Sequence, residues 1–318
     1  MRKISRKGCL QSGVMTAVMA SILTPASADA EILISENLSL SGFVDMSAGS
    51  TDSDDPDVGT SEWYGLDQFE LDFMYEYDTS LNARVDINWL SGDKVDLEQA
   101  FFTYSMGNGF SITAGRFLSA IGWEAAEPVD MYQYSYGTSV KYPGYHNGIA
   151  LGYDTEMFGL YGSIIDDIWA EDTVGDAEEL GYELQLSLTP IEGFTTKIQY
   201  ASQDKGAYDK DLFNVWASYE IGSLLLAAEY DSYDGWNAPG VDGDGWLVMG
   251  NYGFTDNLGL TLRYSVNDGD DYEASDFTIS PGYVFTDNIA GLIEYKHTDY
   301  DEGGFDEDSV AVEVLFTF

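Results

Sequence analysis

Cysteine is almost missing from these 318 residues: there is one, Cys9, and it lies within the first thirty. Disulfide and cysteine–metal frameworks are therefore excluded for the rest of the chain. Histidine is as scarce, with only His146 and His297, which argues against a histidine-built metal site. Basic residues are few as well, 13 Lys and Arg against 56 Asp and Glu, for a formal charge of −43. Such a surface repels a phosphate backbone, so nucleic acid is excluded as a partner. Beyond residue 30 there is no run of 18 uninterrupted apolar residues, which rules out a helical membrane protein.

The first thirty residues have a separate logic. Arg2, Lys3, Arg6 and Lys7 precede an apolar stretch from about Gly13 to Leu23, and Ala26-Ser27-Ala28-Asp29-Ala30 follows. That order reads as a signal peptide over 1–30, removed after Ala28 or Ala30. Cys9 precedes the apolar stretch, whereas a lipoprotein cysteine would follow it, so lipidation is not expected. Four of the 13 basic and one of the 56 acidic residues lie in this segment, leaving 9 against 55 and a formal charge of −46 over 31–318.

What the chain does have is aromatic residues: 23 Tyr, 16 Phe and 7 Trp. Acidic disordered chains are poor in these side chains, so an ordered fold is expected. Period-two alternation recurs throughout. Leu180, Tyr182, Leu184, Leu186 and Leu188 alternate with Gly181, Glu183, Gln185 and Ser187, giving one apolar and one polar face on a strand long enough to cross a tilted bilayer span. Sixteen such segments can be counted between Leu38 and Phe318, with 12 to 18 left open. Tight connectors at 78–80, 106–109, 154–156, 190–193, 221–223, 255–257 and 286–288 would be periplasmic turns. Longer acidic connectors at 48–62, 166–178, 231–244, 265–275 and 298–308 would face outside the cell. The expected fold is an all-β transmembrane antiparallel barrel, a single domain over 31–318. A soluble β-sandwich also alternates, but it does not explain the even count, the alternating connector lengths and the aromatic strand ends together.

The final strand, Val314-Leu315-Phe316-Thr317-Phe318, looks like the assembly signal of bacterial outer-membrane barrels, with Phe318 as its mark. Leu97-Glu98-Gln99-Ala100-Phe101-Phe102, then Ala114-Gly115-Arg116-Phe117 and Ile121-Gly122-Trp123-Glu124, resembles the OmpL-like β-barrel porins. The resemblance implies a water-filled pore for small hydrophilic solutes, and partners in the barrel-assembly machinery, outer-membrane lipids and lipopolysaccharide. Sixteen-strand general porins also imply a homotrimer.

The longest connector, 118–145, follows the fifth strand and is therefore the third outer loop, the one that folds into the lumen in general porins. It is expected to form the constriction, with Glu124, Glu127 and Asp130 as its acids. An extended surface loop packed by its own tyrosines is the plainer alternative. Opposite parity to the apolar sets turns Arg84, Asp86, Lys197 and Arg263 toward the lumen, where a basic cluster could oppose the loop acids across the eyelet or form barrel-wall ion pairs with no role in selectivity. Alternation fits poorly at Arg116, and a bulge there would turn it inward too. Acids outnumber bases on the polar parity, so mild cation preference is expected. No enzyme is expected: His297 with Asp299 is the one pair that could activate water, and an outer-rim histidine is more often simply solvated. A barrel with a blocked lumen is the other alternative. No cofactor is expected, although clusters such as Asp268-Gly269-Asp270-Asp271 could bind divalent cations weakly.

Overall fold

The computed structural model describes residues 32–318 except 56, 91–93, 125–126, 140, 169–178, 237, 271 and 302–303. The expected signal peptide, 1–30, lies outside the described residues, as does most of the acidic connector 166–178.

Sixteen antiparallel strands close into one ring. They are β2 (Leu38–Ser53), β3 (Thr60–Glu76), β4 (Leu81–Leu90), β5 (Lys94–Gly107), β6 (Phe110–Leu118), β7 (Tyr145–Asp154), β8 (Phe158–Ile165) and β9 (Gly181–Ile191), followed by β10 (Phe194–Asp204), β11 (Asp209–Ile221), β12 (Leu224–Asp234), β13 (Gly243–Gly253), β14 (Leu258–Gly269), β15 (Glu273–Thr286), β16 (Ile289–Tyr300) and β17 (Phe305–Thr317). Each strand pairs with the next, and β17 pairs with β2 from Thr317↔Phe43 to Glu307↔Ser53. The seam ends where Gly42 and Phe318 exchange backbone hydrogen bonds at 3.0 Å. Below it, the two-residue β1 (Ile32–Leu33) covers the edge of β2 that β17 does not reach, pairing with Ser39 and Leu40. Closure leaves no free sheet edge, which is what a lipid environment demands of a β-structure. A Cβ on Gly42 would lie 2.2 Å from the Glu70 carbonyl oxygen, so the close approach of β2 and β3 at the seam requires glycine.

The alternation reads inside out compared with a soluble protein. On β17, Val310, Val312, Val314 and Phe316 are exposed, whereas Ala311, Glu313, Leu315 and Thr317 are buried. Apolar side chains therefore form the outer belt and polar ones face inward. Aromatic residues gather at both rims of that belt. Three outer-rim tyrosines, Tyr200, Tyr230 and Tyr295, donate to Asp211, Asp244 and Asp308 at 2.5, 2.5 and 2.6 Å. Each ring sits in the apolar band while its hydroxyl reaches the wet rim. Val312→Arg, on this belt near mid-strand, is expected to destabilise the folded barrel by about 2–4 kcal/mol. Urea unfolding in lipid vesicles measures it; a cost near zero would contradict immersion of this face.

The seven predicted tight turns are all present at one end. The outer connectors are shorter than the composition suggests. β2 runs to Ser53 and β3 starts at Thr60, while only residues 270–272 separate β14 from β15 and only 301–304 separate β16 from β17. A bilayer crossing needs about 9–11 tilted residues, so strands of 16 and 17 residues such as β2 and β3 project well beyond it. Acidic Gly-rich sequence there looks like loop but continues the ladder above the membrane.

Candidate functional site

The loop joining β6 to β7, residues 119–144, is long enough to cross the barrel interior, and its hydrogen bonds show that it does. Its base closes where Ser119 N donates to Gly144 O at 3.0 Å, and the Ser119 hydroxyl donates to Glu183 on β9. Gly122 N donates to Gln199 Oε1 on β10 at 3.2 Å and Trp123 N to Glu229 Oε1 on β12 at 2.8 Å. The Trp123 ring meets Trp216 of β11 edge-on at 5.2 Å. Gly122 has φ +112°, and a Cβ there would strike the Tyr142 ring at 2.7 Å; only glycine fits this corner. Burial and the nearby Glu229 carboxylate push the Tyr142 phenol well above its ordinary range, so it remains a donor to Glu229.

Farther along, the loop reaches the opposite wall. Glu294 on β16 accepts from Tyr134 N at 2.8 Å and Ser135 N at 3.2 Å. Thr138 N donates to Asp276 Oδ2 on β15 at 2.7 Å, and the Tyr134 hydroxyl lies 3.1 Å from Ser47 Oγ on β2. Lys141 sits among the rings of Tyr233, Trp236 and Tyr272 at 4.6–5.4 Å. A small cavity of about 40 Å³ lies under the loop, between Val129, Met131 and Tyr132 above and Asn251, Thr261 and Leu315 of the wall.

The expected site residues fall into three settings. Arg263 of β14 is buried and bonded, its guanidinium 2.6 Å from Glu124 and 3.5 Å from Asp276, with Ser135 O and Thr278 Oγ1 as further acceptors. Glu124 also accepts from Gln133 Nε2 at 2.6 Å and Gly137 N at 2.9 Å. Arg263 and Glu124 therefore form a direct ion pair that pins the loop to the wall. The buried Lys197 of β10 lies 5.2 Å over the Trp216 ring, beside the loop's anchor at Trp123.

The second setting is the part of the lumen lined by β3 and β4. Arg84 of β4 makes a two-pronged contact from Nε to both oxygens of buried Asp86 at 2.8 Å, and its Nη2 is 3.5 Å from Asp72 of β3. Its side chain keeps 32 % exposure. On the loop, Asp130 keeps an exposed surface at the end of a one-turn 3₁₀ helix, Pro128–Asp130; enclosure by the surrounding protein raises its carboxyl, with Arg84 opposing and Asp72 adding to the rise. Glu127, one turn earlier, is held by Tyr145 at 2.6 Å and Gln68 at 3.2 Å. Burial, then the nearby Glu98 carboxylate, pushes its carboxyl up to about 7.

The third setting is a departure. On β6, Thr113 bonds Thr103 across the lumen face and Phe117 packs with Ala150 and Ile165 inside, so Arg116 takes the outward parity. It lies opposite Ala100 and Asn147, with Nε donating to Leu97 O at 3.1 Å, in a wall groove shared with Ala114 and Ile149. No register shift occurs at Arg116, and the lumen position expected for it does not match the pairing. His297 Nδ1 contacts Asp308 at 2.9 Å across to β17 and not Asp299 of its own strand, because cross-strand neighbours are closer than i, i+2 neighbours.

Asp276 and Glu294 carry much of the loop's anchorage, Glu98 bonds Asn88 and Tyr145 beside it, and none of the three was singled out as functional. Asp276 and Glu294 could have been found by extending the parity of Phe277 and Ile293. Glu98 could not, since it projects inward through a bulge between Leu97 and Gln99 opposite Asp86 and Ile87.

A family model described as "Putative beta-barrel porin-2, OmpL-like" matches residues 64–318. The chain belongs to this OmpL-like porin family. It is therefore an outer-membrane barrel of the channel type. Among solved structures, Pseudomonas putida OprB superposes with a TM-score of 0.72 at 11 % identity, covering 89 % of this chain and 94 % of that one. Salmonella typhi OmpF, solved with daunomycin, gives 0.71 at 16 %, covering 91 % and 100 %. An anion-selective porin from Comamonas acidovorans gives 0.68 at 13 %, covering 88 % and 99 %. No curated protein sequence matches. At these identities the structural neighbours of this OmpL-like porin establish the shared barrel fold.

Proposed function

We propose that this OmpL-like porin lets small hydrophilic solutes and ions diffuse passively past the loop at 119–144, with a mild preference for cations. The supporting observation is the disposition of charge where the loop faces β3 and β4. Arg84 is the base there, half-buried and already neutralised by Asp86 and Asp72, whereas Asp130 is exposed and has no ion pair among the described residues. In a water-filled passage with low-dielectric walls, a net negative lining attracts cations and repels anions.

The reversal potential across a planar bilayer in a KCl gradient tests this reading. A potential of the sign set by K⁺ supports it, and the sign set by Cl⁻ overturns it. We further propose a homotrimer, as the likeness to sixteen-strand general porins implies, to be tested by cross-linking the detergent-purified protein and reading its mass.

A further inference from the structure

We propose that Glu70, Glu98 and Glu127 form a calcium site that ties the loop to the barrel wall. The three carboxylates come from three separate elements: Glu70 from mid-β3, Glu98 from the β5 bulge and Glu127 from the loop. One oxygen from each lies within 4.8 Å of the others. Calcium–oxygen distances are about 2.3–2.6 Å, so ligands around one ion are at most roughly twice that apart. The spacing fits a shared ion.

The electrostatics also call for one. Among the described residues none of the three has an ion pair, and their donors are neutral. Gln68 Nε2 reaches Glu70 at 3.1 Å and Glu127 at 3.2 Å, and the Tyr145 hydroxyl reaches Glu127 at 2.6 Å and Glu98 at 3.2 Å. Arg84 is the nearest positive charge, but its ion pairs go to Asp72 and Asp86, so the three converging carboxylates repel one another strongly where water is partly excluded. The neighbouring group of Glu70, Asp72 and Asp86 shares Glu70, but its other two members are already paired with Arg84, whereas Glu98 and Glu127 are not.

A second observation points to a ligand. Asn88 of β4 is fully buried and its carboxamide abuts the cluster, Nδ2 contacting Glu98. Its Oδ1 is buried with no hydrogen-bond partner. This carboxamide, in contact with Glu98 and cross-strand from Glu70, thus carries an unsatisfied carbonyl-type oxygen of the kind calcium takes from Asn. The bulge strengthens the case, since bulges re-aim side chains at functional positions and this one turns Glu98 into the group. Calcium is preferred to magnesium because the ligands come from a loop and two strands, with irregular geometry that magnesium's strict octahedron does not accept.

The folded full-length protein, stripped with EDTA and desalted in detergent, should be titrated with CaCl₂ by calorimetry. Glu98→Gln and Glu127→Gln are run beside the wild type, each checked for folding by its heat-modifiable gel mobility. A control carries Asp268→Asn with Asp270→Asn in the acidic outer rim. The expected result is one saturable site per chain that survives in the control and weakens by about ten- to a hundred-fold or more in either glutamate variant. Glu127→Gln lies outside the strands, so the test stands even if Glu98→Gln fails to fold. Binding that is absent, unchanged in both glutamate variants or lost in the rim control overturns the site; the last outcome would assign the calcium to the outer rim.

Discussion

Arg263→Met is expected to release the loop from the wall while leaving the barrel closed. The Arg263–Glu124 pair is buried on both sides, with side-chain exposures of 0 % and 1 %. Removing one partner of such a pair strands the other charge and costs about 3–5 kcal/mol. Asp276 also loses its guanidinium at 3.5 Å and keeps only Lys296 at 3.9 Å. The ring is held by backbone ladders that Arg263 does not support, so the cost falls on the docked loop. Hydrogen exchange at Gly137, whose amide is held by Glu124, and at Thr138, held by Asp276, should accelerate by about two to three orders of magnitude, since about 1.4 kcal/mol is tenfold. Open-channel current should become noisier. Arg263→Met combined with Glu124→Gln should recover part of the protection, because the orphaned charge is gone. Unchanged exchange at Gly137 in the single variant would show that the pair does not hold the loop.

Replacing Asp72 and Asp130 together by asparagine is expected to abolish the cation preference and carry the channel toward anions. Arg84 would then keep only Asp86 as a partner, and the exposed loop acid would be gone. The change should be larger in dilute salt, because charges are felt over about 10 Å at 0.1 M and only about 3 Å at 1 M. Arg84→Gln should move selectivity the other way. Reversal potentials of the three proteins at both salt concentrations provide the readout. A double-asparagine channel with wild-type selectivity would remove these residues from the ion path.

The barrel was legible because its physics is local. Outward Val310, Val312, Val314 and Phe316 state their environment in two-residue steps, and the turns at 221–223 or 286–288 announce themselves by composition. Strand ends were harder to place. Asp268 and Asp306 read as loop residues but lie on strands that continue above the membrane, where water no longer demands an apolar outer face. The loop's place in the lumen followed from its ordinal position, while its partners did not. Arg263 meets Glu124 across a sequence separation of 139 residues, which no local pattern encodes. Arg116 misled for a related reason: a charge on the apolar parity reads as a register error, yet here it caps the wall near the outer rim with its guanidinium on Leu97 O. The bulge that re-aims Glu98 has no sequence mark, so the carboxylate cluster it completes emerged only in three dimensions.

The central claim is that the ring encloses a water-filled path around an anchored loop, and single-channel recording of the purified protein in planar bilayers tests it most directly. Discrete, ohmic current steps that rise with salt concentration are the predicted result. A protein that is folded by its heat-modifiable mobility and inserted in the bilayer, yet electrically silent at every voltage, would contradict the claim and leave a barrel whose loop closes the lumen.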